Sequence, residues 1–309
     1  MRIAILGANS VIALDIMKQL AASKSNLLSL FSRKPHEIKN FIKERKINNN
    51  SIEIKKYEEF SDLKNVDLLL NFVGIGDPSK AELIGNKIFD ITSFYDNMAL
   101  DFLYKNPETK YIFISSGAAY GPNNFEQSVC ESSFSEFNIN FLKSQDWYAI
   151  SKLHTEAKHR SLKNFKIYDL RIFSYISSSI NIDGRFFLSD AIRAIKNDKI
   201  LETSSSNFYR DFVCPEDLHQ LITKILLADV TNDVYDCYSS SCVSKDQILK
   251  MLSSKFSLKF RKIDGNPGVQ FTGSKDYYYS ENKRANEINY IPKFSSLENI
   301  EKAFKEILF

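Results

Sequence analysis

No apolar segment of this 309-residue chain approaches the ~20 residues that a membrane-spanning helix needs, and its first residues enter a strand pattern rather than a signal peptide. No membrane partner is expected, and the expected location is cytoplasmic. The four cysteines, Cys130, Cys214, Cys237 and Cys242, show no C-x-x-C spacing, so reduced structural thiols are expected rather than a disulfide framework. Among the four histidines there is no H-E-x-x-H, and the five-residue offset between His154 and His159 suits a shared metal poorly; no metal is assigned. An excess of one charge is also missing. With 41 Lys+Arg against 38 Asp+Glu the net charge is +3, and no basic block forms a nucleic-acid footprint.

What the chain does contain is an alternation of short apolar runs with helical patterns. Strands are expected at about 2–6, 27–31, 52–55, 67–72, 111–115 and 166–171, with a further one at about 234–238. Such alternation predicts an α/β fold with a Rossmann-type, doubly wound parallel sheet. A smaller C-terminal substrate-binding domain should accompany it. The expected division assigns 1–173 and about 209–240 to the dinucleotide-binding domain, and about 174–208 and 241–309 to the smaller one.

Three stretches carry chemistry. Tyr148 and Lys152 stand four residues apart, which puts a phenol and an ammonium on one helix face. A nearby cation favours the phenolate, so Lys152 is expected to bring the Tyr148 pKa down from about 10 toward the working range. The run Tyr111–Ser116 reads as a buried strand ending in two hydroxyls, at the strand end where ligands bind in open α/β sheets; Ser116 becomes the partner of Tyr148. The third stretch is Arg2–Leu6, closed by Gly7 and followed by Ala8, Asn9, Ser10 and Val11. It reads as strand, tight turn and helix, with backbone N–H groups and the helix dipole aimed at a diphosphate.

Taken together, Gly7 in the first turn, Ser116 four residues before Tyr120-Gly121, and Tyr148-x-x-x-Lys152 resemble the extended short-chain dehydrogenase/reductases. The closest likeness is to the group acting on sugar nucleotides as epimerases, dehydratases and reductases. The resemblance continues through Leu170-Arg171-Ile172-Phe173-Ser174, Arg210-Asp211-Phe212-Val213, Ser280-x-x-Lys283-Arg284-Ala285 and Tyr290-x-Pro292, in family order along nearly the whole chain. Only Gly7 of the usual three glycines is present, with Ser10 and Ala13 at the other two positions.

The resemblance implies Ser116, Tyr148 and Lys152 as catalytic residues. For the cofactor it implies Gly7, Asn9, Ser10, Val11, Ser32, Arg33, Asn71, Phe72, Val73 and Gly74, with Tyr148 and Lys152 at the nicotinamide end. For a nucleotide-sugar substrate it implies Ser116, Ser174 and Arg210, the arginine on the diphosphate. Ser174 departs from the family's usual Asn, and no second arginine stands in the 265–276 stretch. The second strand ends in Ser32-Arg33-Lys34 without an acid, which favours NADP(H), NAD(H) being the other possibility. Dehydratases of the family carry an Asp-Glu pair after the active-site hydroxyl, where this chain has Gly117-Ala118. The expected activity is therefore NADPH-dependent reduction of a nucleotide-linked 4-keto sugar. An NAD-dependent sugar-nucleotide 4-epimerase is the alternative, and a non-catalytic NADP(H)-binding protein the second. A homodimer and a place in surface-polysaccharide precursor synthesis are implied by family analogy.

Overall fold

Apolar runs bounded by polar turns become seven strands of one sheet, whose order explains where a ligand can enter. A computed structural model describes residues 1–309 apart from 49, 75–80, 82 and 265–275. The first six strands are β1 (Arg2–Leu6), β2 (Leu27–Phe31), β3 (Ile52–Lys55), β4 (Leu68–Asn71), β5 (Lys110–Ser116) and β6 (Ile167–Ile172). Short strands β7 (Ser174–Tyr175), β8 (Ile200–Ser204), β9 (Tyr209–Arg210) and β10 (Phe212–Val213) follow before β11 (Asn232–Cys237) returns to the sheet. The order is β11-β6-β5-β4-β1-β2-β3, every pair parallel. Direction along the sheet reverses between β1 and β4, and that switch opens a crevice at their carboxyl ends.

The pleat sends alternate residues to opposite faces, and both faces are covered. Ile3, Ile5, Leu28, Leu30, Leu68 and Leu70 enter one core with helices α1 (Val11–Ala21) and, later in the chain, Pro215–Leu227. Ala4, Leu6, Phe31, Leu69, Tyr111 and Phe113 enter another, with Ala99 and Leu103 of Lys87–Lys105. Helix α2 (Pro35–Glu44) follows β2; with Lys87–Lys105 as α3, the helix Trp147–Ser161 is α4, and the two pack together.

A separate core gathers Ile176, Leu188, Ile192, Ile248, Leu252, Phe256, Ile300 and Phe304. Its helices are α5 (Phe187–Lys196), α7 (Lys245–Phe256) and α8 (Ser296–Leu308), α6 being Pro215–Leu227. Ala285, Ile288 and Tyr290, which the sequence division groups with this second unit, pack instead into the sheet's core. Arg284 ties that segment to Asp233 of β11 at 2.9 Å. Strand β9 pairs with β12 (Val243–Ser244) and, beyond β13 (Lys259–Ile263), with β14 (Tyr277–Tyr278), in a register that sets Tyr278 beside Arg210.

Candidate active site

Strand β5 delivers Ser116 to the carboxyl edge of the sheet, and α4 carries Tyr148 and Lys152 across it. Ser116 Oγ accepts a hydrogen bond from the Ala118 N–H at 3.2 Å, capping the tight turn Gly117–Tyr120. The same hydroxyl lies 3.2 Å from the hydroxyl of Tyr278 and is near enough to Tyr148 to favour its phenolate. Sequence reasoning thus pairs Ser116 with Tyr148 and misses Tyr278, which reaches the site from a strand 162 residues away. Its only local signal is its place in Tyr277-Tyr278-Tyr279, where alternation along a strand aims the middle ring opposite to its neighbours.

The electrostatics differ from the expectation that Lys152 draws the Tyr148 pKa down. Burial and then the neighbouring Tyr278 raise the Tyr148 hydroxyl well above its ordinary value, with the Ser116 hydrogen bond opposing them. The Lys152 ammonium is turned the other way. It donates to the Ile114 carbonyl at 2.8 Å, lies 4.2 Å from the Phe113 ring centroid and is 5.9 Å from that of Tyr148. Burial pulls its pKa down to about 8, against the carboxylates of Glu156, Asp169 and Asp96. The four-residue spacing does place both side chains on one face, but the carbonyl at the end of β5 outcompetes the phenol for the ammonium.

At the other end of the crevice, Gly7 has φ +71°, and a Cβ there would come within 2.9 Å of Phe72 C and Val73 N. Glycine is required because the segment after β4 crosses the turn. Ser10 caps α1 by accepting from the Ala13 N–H at 3.3 Å, and Val11 opens the helix. No acid stands in its first turn, so the positive end of the helix is free to meet an anion. These groups fit the diphosphate of a dinucleotide. Asn9 joins Ser32 and Glu37 by hydrogen bonds, while Arg33 is exposed. Asn71 accepts from the Val73 N–H and donates to Tyr111, at 2.9 Å each. Phe72 is buried behind it, and a Cβ on Gly74 would stand 2.9 Å from Lys152 Nζ. The segment 71–74 therefore lines the floor between the turn and Lys152.

The Arg210 guanidinium lies between the rings of Phe208 and Tyr278, 5.2 Å from each centroid, and burial lowers its pKa to about 10. Among the described residues it makes no ion pair; Asp211 turns away to accept from the Ser239 N–H and the Ser296 hydroxyl. Through Tyr278 the arginine adjoins Ser116. Ser174 is half-buried in β7, beside Phe212. Its neighbour Phe173 packs on Tyr278 and so closely on Gly117 that a Cβ there would lie 2.5 Å from the ring. Most of the arginine-free stretch at 265–276 lies outside the described residues.

Residues 3–237 match the family model described as the NAD dependent epimerase/dehydratase family. No curated protein sequence matches the chain. Among solved structures, the UDP-glucuronic acid 4-epimerase of Bacillus cereus, in complex with UDP-glucuronic acid and NAD, superimposes with a TM-score of 0.77 at 16% identity, over 99% of each chain. The UDP-glucose 4-epimerase of Thermotoga maritima, with UDP-glucose, gives 0.80 at 15% identity, over 99% of this chain and 98% of that one. The dTDP-glucose 4,6-dehydratase of Bacillus anthracis, in complex with NAD, gives 0.79 at 13% identity, over 99% and 96%.

Proposed function

Because the chain belongs to the NAD dependent epimerase/dehydratase family, we propose that it inverts the C4 centre of a sugar nucleotide by oxidation to a ketone and re-reduction. The carrying observation is that the Ser116 hydroxyl lies near enough to Tyr148 to favour its phenolate, beside Gly117, where the Phe173 ring leaves no room for a side chain. Proton transfer at one oxygen is provided for. The acid pair that elimination of water calls for is absent from Gly117 and Ala118, which argues against dehydration. The UDP-sugar 4-epimerases among the similar structures support inversion over the net reduction suggested by Arg33.

In this reading the bound dinucleotide supplies reversible two-electron oxidation. Tyr148 accepts the proton of the sugar hydroxyl and returns it, while Ser116 donates to the same oxygen as it gains charge. Lys152 supplies the positive charge that a buried phenolate needs, after giving up the Ile114 carbonyl or from across it. Arg210 holds the diphosphate with its planar fork of donors.

The test is incubation with UDP- and dTDP-linked glucose, glucuronic acid and N-acetylglucosamine, followed by proton NMR. The expected result is a C4 epimer with no net consumption of dinucleotide. Stoichiometric oxidation of NADPH by a 4-keto sugar, without epimer, would replace this reading with the reductase.

A further inference from the structure

At the carboxyl ends of β1 and β2, four side chains close a ring of hydrogen bonds. Ser32, fully buried just past β2, donates to Asn9 Oδ1 at 2.9 Å and accepts from the Lys34 backbone N–H at 2.9 Å. The Asn9 amide, oriented in this way, donates to Glu37 Oε2 at 2.8 Å. Lys34 Nζ donates to Glu37 Oε1, also at 2.8 Å. Glu37 is the third residue of α2, which Pro35 opens, so the first turn directs it toward the end of β2 and favours its negative charge. The Lys34 hydrogen bond, assisted by Asn9 against partial burial, holds its carboxyl below the usual range.

The acid missing from the end of β2 in the sequence is thus supplied in space by the next helix. Each carboxylate oxygen has one partner in the ring and a lone pair left for a further donor. Asn9, in the turn beneath the diphosphate position, fixes that carboxylate on the side of the crevice where an adenosine ribose lies. Arg33 is exposed, and the Lys34 charge is already engaged.

We propose that Glu37 accepts the adenosine ribose 2′-hydroxyl and repels a 2′-phosphate, so that this chain selects NAD(H) over NADP(H), with Asn9 and Ser32 aiming the carboxylate. The proposal rests on dinucleotide binding, a property of the family, and not on inversion at C4, so the two fail separately. Protein stripped of co-purified dinucleotide is titrated with NADH and NADPH, following nicotinamide fluorescence. NADH should bind on the order of 10²-fold more tightly. Glu37→Gln should weaken NADH about tenfold and bring the two dinucleotides within about threefold of each other. Asn9→Ala should narrow the preference in the same direction, and Arg33→Ala should leave it unchanged. NADPH binding as tightly as NADH to the unaltered protein overturns the proposal. So does a preference that survives both Glu37→Gln and Asn9→Ala, and binding of neither dinucleotide overturns it together with its premise.

Discussion

Tyr148 and Tyr278 converge on Ser116 from opposite halves of the chain, and a serine has one proton to give. Because Ser116 already accepts from the Ala118 N–H, it has one lone pair and one proton left for the two tyrosines and, when substrate is bound, its proton serves the sugar oxygen. Tyr148→Phe should therefore lower kcat by about 10²- to 10⁴-fold while leaving the NADH dissociation constant unchanged. Tyr278→Phe removes a hydroxyl that touches Ser116 rather than the reacting oxygen, and kcat/KM should fall about three- to tenfold. An equal loss in both variants would mean that Tyr278 meets the reacting oxygen directly. For Lys152, the buried ammonium with a pKa of about 8 loses its charge as pH rises through that value. The pH profile of kcat/KM should show an alkaline limb near pH 8. Lys152→Arg, whose charge does not titrate in this range, should abolish the limb at whatever rate remains.

At the scale of elements, a buried chain of polar groups fastens α4 to the sheet. The Val73 N–H bonds to Asn71, Asn71 to Tyr111, and Tyr111 to Asp96 of α3. His159 of α4 bridges Asp96 at 2.8 Å and Asp169 of β6 at 2.7 Å. Burial opposes the imidazolium, but the two carboxylates prevail and raise its pKa to about 9. A folded-state pKa above the unfolded ~6.5 means that this stabilisation is complete below about pH 6.5 and is lost as pH rises through 9. His159→Leu leaves two carboxylates facing each other without their shared cation and should cost about 3–5 kcal/mol in urea unfolding at pH 6. The difference from the unaltered protein should shrink by pH 10. A difference independent of pH would point to packing alone.

Across the whole molecule, Arg210, which the sequence division groups with the dinucleotide-binding domain, stands between Phe208 and Phe212 of the second core, and its guanidinium stacks on the tyrosine that touches Ser116. A nucleotide sugar held at both points would bridge the sheet and the smaller unit. Arg210→Ala should raise the dissociation constant for UDP about ten- to a hundredfold, measured by calorimetry, with NADH binding unaffected. The family resemblance implies Arg210 as a diphosphate ligand, and an ion pair with Asp211 would be the competing use. That pair does not form: Asp211 accepts from the Ser239 N–H and the Ser296 hydroxyl.

The strands, the order of helices, the glycine of the first turn and the common face of Tyr148 and Lys152 were determined by the sequence itself. Each depends on a period of two or 3.6 residues, or on a backbone angle that only nearby residues decide. The family likewise follows from motifs in fixed order. The direction of the Lys152 ammonium, the arrival of Tyr278, and Glu37 filling the place of the missing acid were decided by tertiary structure alone. Each joins groups on separate elements, and a hydrogen bond between them forms only where packing brings donor and acceptor within about 3 Å, a distance that no local spacing encodes.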